Sequence, residues 1–238
     1  MTVPTIKPGV LTLACSGMAA PPLFYTDNDG ARHGYEPDVA AATARALGLE
    51  IEWLFLQWAD FEPALMERRA DGIWCGSAIT PEREKRFLYS RPYAIFDEAV
   101  LVRSGEGIAS PDDLAGKRIG AISGSTNMAL AEGWVDVGRV DFDGATDDVL
   151  GDMVAALRAG DIDGVVDDDC AFGALIDEPA FEIAFTVKTG NRWGVAMHPD
   201  SEDLKRSIDR GLDHVILSHG LQAIWKRWFP ALDLPQLS

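Results

Sequence analysis

The sequence is short of cations. Lys and Arg number 21 against 38 Asp and Glu, a net charge of −17, and a field of that sign repels phosphate backbones and anionic membranes. Nucleic acid is therefore excluded as a partner class, and each remaining base, Arg83 among them, has to be weighed individually. Cysteine and histidine are also scarce. The three cysteines, Cys15, Cys75 and Cys170, show no C-x-x-C spacing, and only four histidines accompany them, so no metal site or disulfide scaffold is expected. Buried small side chains are the plain reading of these thiols. No apolar run approaches the ~20 residues of a transmembrane helix. The stretch from Met1 to Gly9 lacks the apolar segment of an export signal, so Leu13-Ala14-Cys15 reads as strand rather than lipoprotein motif. Phosphate-loop, dinucleotide and nucleophile-elbow motifs are missing, and His33, His198, His214 and His219 fall outside the segments singled out below, which removes the usual general base. Together these absences favour binding over catalysis and call for no cofactor.

What is present is an α/β rhythm. Val10 to Ala14 reads as a buried strand, and Pro37 to Leu47 as a helix stopped by Gly48. Ile51 to Leu56 is a strand, Phe61, Leu65 and Met66 stripe a helix, and Ile73-Trp74-Cys75 follows as a strand. The rhythm restarts at Ala99 to Val102, with Ser110-Pro111 as a helix start, Arg118 to Ile122 as a strand, Asp147 to Ala159 as a helix and Gly164-Val165-Val166 as a strand. Trp193 to Met197 is a further strand, and two amphipathic helices close the chain, Glu202 to Ser218 and Leu221 to Phe229. Alternating strands and helices imply mostly parallel sheets, and 238 residues accommodate two lobes of ~100 residues.

Four segments bear on chemistry. Thr80-Pro81-Glu82-Arg83 combines an N-capping hydroxyl, a Pro at the first helical position and an acid in the first turn, setting Arg83 near a helix start, where a guanidinium suits a carboxylate. A surface Arg on a well-capped helix is the alternative. Gly124-Ser125-Thr126 presents N–H and hydroxyl groups after a strand, a feature shared with every ordinary cap. Asp167-Asp168-Asp169 leaves a strand with successive side chains pointing in different directions, so one acid can meet an ammonium group. Trp58 stands at a strand-to-helix junction, as core packing or as a stacking platform.

Taken in order, Pro21-Pro22-Leu23-Phe24-Tyr25, Gly34-Tyr35-Glu36-Pro37-Asp38, Ala78-Ile79-Thr80-Pro81-Glu82-Arg83, Ser90-Arg91-Pro92-Tyr93, Leu114-Ala115-Gly116-Lys117-Arg118-Ile119-Gly120, Gly124-Ser125-Thr126, Asp163 to Asp168 and Ile224 to Phe229 resemble the solute-binding proteins of polar-amino-acid ABC transporters over nearly the whole chain. The resemblance implies a two-lobed periplasmic-binding-protein-like α/β fold, with two mixed, mostly parallel sheets joined by two hinge strands. Residues 1–94 and 193–238 would form a discontinuous first lobe and residues 95–192 the second. It further implies capture of an amino-acid-like solute in a cleft by hinge closure and delivery to a membrane permease, by an extracytoplasmic monomer and without turnover. By position, Arg83 would hold the α-carboxylate with N–H groups of Ala78, Ser125 and Thr126. Gly76 would offer its carbonyl, Asp168 would take the α-ammonium and Trp58 would pack on the side chain. Cys75 and Asp167 are further candidates. Departures are equally informative. Ala78, Gly17 and Ala20 replace larger or polar residues common in the family, while Trp74 and Cys75 are bulkier than usual, so the pocket floor is reshaped. With no carboxylate at Gly17 or Ala20, an uncharged or bulky ligand side chain fits better than lysine or arginine, unless Asp167 turns inward. The resemblance also makes Cys15 and Cys75 neighbours, bonded or free. Two other readings remain: a dehydratase-like enzyme resembling cyclohexadienyl dehydratases, and the ligand-sensing domain of a receptor.

Overall fold

The computed structural model describes residues 3–237; Met1, Thr2 and Ser238 lie outside the described residues. In chain order the elements are β1 (Val10–Cys15), β2 (Tyr25–Thr26), β3 (Arg32–His33), α1 (Tyr35–Leu47), β4 (Glu50–Phe55), α2 (Phe61–Met66), β5 (Gly72–Ile73), β6 (Leu88–Tyr89), β7 (Ala94–Arg103), β8 (Arg118–Ile122), α3 (Thr126–Glu132), β9 (Gly138–Phe142), α4 (Val149–Ala159), β10 (Gly164–Asp168), β11 (Phe181–Trp193), β12 (Ala196–Met197), α5 (Glu202–Leu217) and α6 (Gly220–Trp228). The chain forms two compact units. One contains the chain up to Gly17, Leu23–Ile95 and everything from Arg192 onward; the other contains Met18–Pro22 and Phe96–Asn191. Met18–Pro22, read from sequence as part of the first lobe, groups with the second unit. There a side-chain carbon at Gly173 would overlap Pro22, which shows how closely the two segments pack.

The first unit is built on a five-stranded sheet of order β4-β1-β5-β12-β6. β1 pairs in parallel with β4 and β5, and β12 runs antiparallel to β5 and β6. The parallel half comes from strand-helix-strand crossovers, and the antiparallel half from the C-terminal return of the chain. Helix α1 starts after Gly34, whose φ of 128° and contact with the Leu23 and Phe24 backbone leave no room for a Cβ. Leu204, Ile208, Leu212 and Val215 line one stripe of α5 at helical spacing, and α5 packs on α1. Helix α6 holds the start of α1: Trp225 and Phe229 lie edge-on to Tyr35 at 5.3 and 5.5 Å, and the Trp228 indole N–H donates to Asp38 at 2.8 Å. Trp193 to Met197 is not one strand. β11 ends at Trp193 and β12 begins at Ala196.

The second unit has a five-stranded mixed sheet of order β11-β7-β10-β8-β9, with β10 antiparallel to β7 and β8 parallel to both β10 and β9. Val100, Val102, Ile119, Ala121 and Val166 of the strands form one apolar cluster with Met128 and Ala131 of α3. Leu101 and Val165, which alternate away from it, are just as buried, and α4 packs on β8 and β10. Strands buried on both faces explain the continuous apolar runs in the sequence. The chain passes between the units within β7 and returns within β11. Among the described residues no helix is long and apolar enough to cross a membrane.

Candidate functional site

In the first unit Arg83 is drawn onto the Ala78 backbone. Thr80 caps as the sequence suggests, its hydroxyl accepting from the Arg83 N–H at 3.2 Å, but the expected helix is only the 3-10 turn Arg83–Lys85. The charged run Glu82 to Arg86 has no apolar stripe to bury, and a short helix without tertiary packing does not propagate. The anion-attracting helix terminus expected here is therefore absent, leaving the guanidinium itself. Its Nη1 donates to the Ala78 carbonyl at 3.2 Å. Ala78 is bridged antiparallel to Trp193, with the flanking bonds made by Gly194 N–H to Ser77 O at 3.1 Å and Ile79 N–H to Arg192 O at 2.8 Å. In such a pair the central residue's own N–H and C=O point away from the partner strand. The Ala78 N–H thus faces the side on which Arg83 lies, and together they form a two-donor arrangement suited to a carboxylate.

Ser77, Tyr89, Glu36 and Tyr93, to which the sequence reading gave no role, shape this region. Ser77 and Tyr89 share a hydroxyl hydrogen bond of 3.1 Å; burial pushes the Tyr89 phenol up, and the hydroxyl of Ser77 and the charge of Arg83 oppose that shift. Glu36, almost fully buried, accepts the Gly76 N–H at 2.9 and 3.1 Å on its two oxygens and the Tyr93 hydroxyl. Burial raises its pKa, against the opposing effects of Tyr93, Gly76 and the Arg32 charge. Gly76 has φ +61°, and a Cβ there would touch the Trp193 ring at 3.5 Å. Glu36 therefore fixes a left-handed peptide laid on an indole. The hint was in Gly34-Tyr35-Glu36-Pro37-Asp38, where an acid precedes a proline in a helix's first turn, but nothing local shows that it folds inward.

Trp58 is half-buried in a 3-10 turn, its ring 5.5 Å from Phe61, so one side packs on α2. Trp74 is buried in the core with its ring 5.2 Å from Tyr93. Cys75 is buried too, accepting the Ser16 N–H at 3.4 Å; desolvation pushes its thiol out of the ordinary titration range and lifts Cys15 to about 12. All three cysteines are free. Neither thiol is a ready nucleophile.

In the second unit Ser125 caps α3. Its hydroxyl donates to Ile122 O at 2.6 Å and accepts from Met128 N–H at 3.0 Å, while its own N–H donates to Ile122 O at 3.1 Å. The serine's polar groups are engaged within the turn, and Thr126 is the residue next to them. Asp168 ends β10 half-buried, and its N–H donates to Asp167 Oδ1 at 2.8 Å. Burial, with the Glu98 charge adding to it, lifts Asp167 to about 7. Among the described residues no group of three His, Cys, Asp or Glu side chains is placed to hold a metal ion.

Known proteins match this arrangement along its length. L-cystine-binding protein TcyJ of Escherichia coli (strain K12) is 30% identical over 227 residues, spanning 94% of this chain and 84% of the relative. An ancestral arginine-binding protein, solved with arginine, superimposes with a TM-score of 0.85 at 26% identity, covering 93% of this chain and 98% of that one. An ancestral arginine-binding protein solved bound to glutamine gives 0.83 at 27%, covering 94% and 99%. The model of one family matches residues 12–231, and the chain belongs to that family, the bacterial extracellular solute-binding proteins, family 3.

Proposed function

We propose that this protein is the extracytoplasmic receptor of an amino-acid ABC transporter, binding one amino-acid-like solute per chain as a monomer and handing it to the permease without chemical change. The observation that carries the reading is the Arg83 guanidinium bonded at 3.2 Å to the carbonyl of Ala78, whose N–H faces the same side. Arg83 and Ala78 would serve the α-carboxylate with Thr126 of the second unit, and Asp168 the α-ammonium, with Gly76 and Trp58 completing the first unit's contribution. A zwitterionic head group suits an Arg and an Asp in one binding set, because neither charge is well served alone once desolvated. Relatives this similar are named for cystine or were solved with arginine or glutamine, so all three solutes belong in the test.

Calorimetric titration of the twenty common amino acids, L-cystine and the matching 2-keto acids tests the proposal. At least one amino acid should bind with micromolar or tighter affinity. Arg83→Ala should abolish that binding, at a cost of about 2–5 kcal/mol for losing a charged contact, with no loss of folding; Arg83→Lys should also be harmful, since a point ammonium cannot reproduce the planar fork. Unchanged affinity in Arg83→Ala removes Arg83 from the site, and steady consumption of prephenate or arogenate would replace the receptor reading with an enzymatic one.

A further inference from the structure

In the second unit a second acid stands directly across from Asp168. β10 and β7 are antiparallel with Asp168 opposite Glu98 and Val166 opposite Val100, so Glu98 and Asp168 project from the face that carries Val100, Val102 and Val166. That face is covered by α3, and Thr126, its first residue, lies beside the Glu98 carboxyl. Glu98 is 2% exposed, and its surroundings do not account for it. Like charges directly opposite one another destabilise a sheet, a buried carboxylate needs a counter-charge or a full set of donors, and among the described residues no Lys, Arg or His forms an ion pair with Glu98. The neighbouring cation, Lys188, is committed at 2.7 Å to Asp97, which alternates to the other face. Asp167, also on that other face, adds a further negative group. Burial raises the Glu98 pKa, and the neighbouring Asn191, Thr126 and Thr189 side chains oppose that shift; Glu98 Oε1 and Asn191 Nδ2 nonetheless make no hydrogen bond of normal geometry among the described residues. Glu98 thus brings a buried, incompletely bonded carboxylate oxygen to the start of α3, on the sheet face it shares with Asp168.

We propose that Glu98 is a specificity-determining ligand contact of this chain, sharing the solute's ammonium group with Asp168 and restricting the solutes to those with a primary ammonium beside their carboxylate. This rests on the receptor reading above. Two carboxylates of one sheet face supply the acceptors that an –NH3+ group needs, and a hydroxyl in its place brings no charge to offset two desolvated acids.

The test compares Glu98→Gln with wild type for two probes: the tightest binder among the twenty amino acids and L-cystine, and the 2-hydroxy acid with the same side chain. The amino acid should lose at least tenfold in affinity, while the 2-hydroxy acid is unchanged or tighter, and Asp168→Asn should repeat that pattern. Glu98→Asp, shorter but still charged, should fall between. The proposal is overturned if both probes weaken equally, which would make Glu98 only a support for Thr126, or if neither changes. It is also overturned if Glu98→Gln lowers the melting temperature by many degrees, since relief of like-charge repulsion should leave stability equal or higher. If wild type binds no amino acid at all, the receptor reading fails, and this inference with it.

Discussion

At the scale of single residues, the buried acids tie pH to stability. Asp167 is lifted from 3.8 to about 7 by burial and by Glu98. A carboxyl whose folded pKa is raised binds its proton more tightly folded than unfolded, so its stabilising contribution is complete below about pH 4 and is lost as pH rises through 7. Asp167→Asn, which mimics the protonated form, should therefore raise the melting temperature more at pH 8 than at pH 5.5, by several degrees at about 2–4 °C per kcal/mol for a protein of this size. Thermal unfolding at the two pH values checks this, and an equal rise at both would show that the effect is not titration. Arg83 and Asp168 could be picked out as candidates from the sequence because their neighbours are punctuated by turns and strand ends. Glu36 and Glu98 could not, since an acid in a helix's first turn or on a strand is ordinarily solvated, and only the tertiary placement of Tyr93, Gly76 and Asp168 turns them inward.

At the scale of elements, the helices that bury an apolar stripe were readable, and those without one were misjudged. The strand-helix alternation, α1 with its Gly48 stop and the paired helices α5 and α6 all follow from periodicity and punctuation. The helix foreseen at Thr80 shrank to a 3-10 turn, as did the one at Ser110-Pro111, because capping residues start helices but do not sustain them. Helix α3 is the opposite case, a short helix whose start depends on one side chain. With the Ser125 hydroxyl bridging Ile122 O and Met128 N–H, Ser125→Ala should cost about 1 kcal/mol of stability while weakening ligand binding only modestly, through the placement of Thr126. Chemical denaturation and titration of the same variant separate the two effects; a binding loss as large as that of Arg83→Ala would instead make the serine a direct contact.

For the whole molecule, the division of the chain between its units has a consequence in time. Apart from Met18–Pro22, the second unit is one uninterrupted segment, Phe96–Asn191, whereas the first draws on both ends of the sequence. Its sheet is incomplete without β12, which lies between β5 and β6, and the packing surface of α1 is uncovered until α5 and α6 exist. A refolding chain can assemble the second unit from this one segment while the first must still bring both ends of the sequence together, because domains fold as units once their segments are present. The contacts that close the first unit also span long loops and are slow to form on entropic grounds. Pulse-labelled hydrogen exchange during refolding should show amides of β8 and β10 protected before those of β5 and β12, and the reverse order would place the nucleus in the first unit. Until α5 and α6 dock, the apolar face of α1 is open to any passing hydrophobic surface, so partly folded chains are most exposed to aggregation before those C-terminal helices are in place.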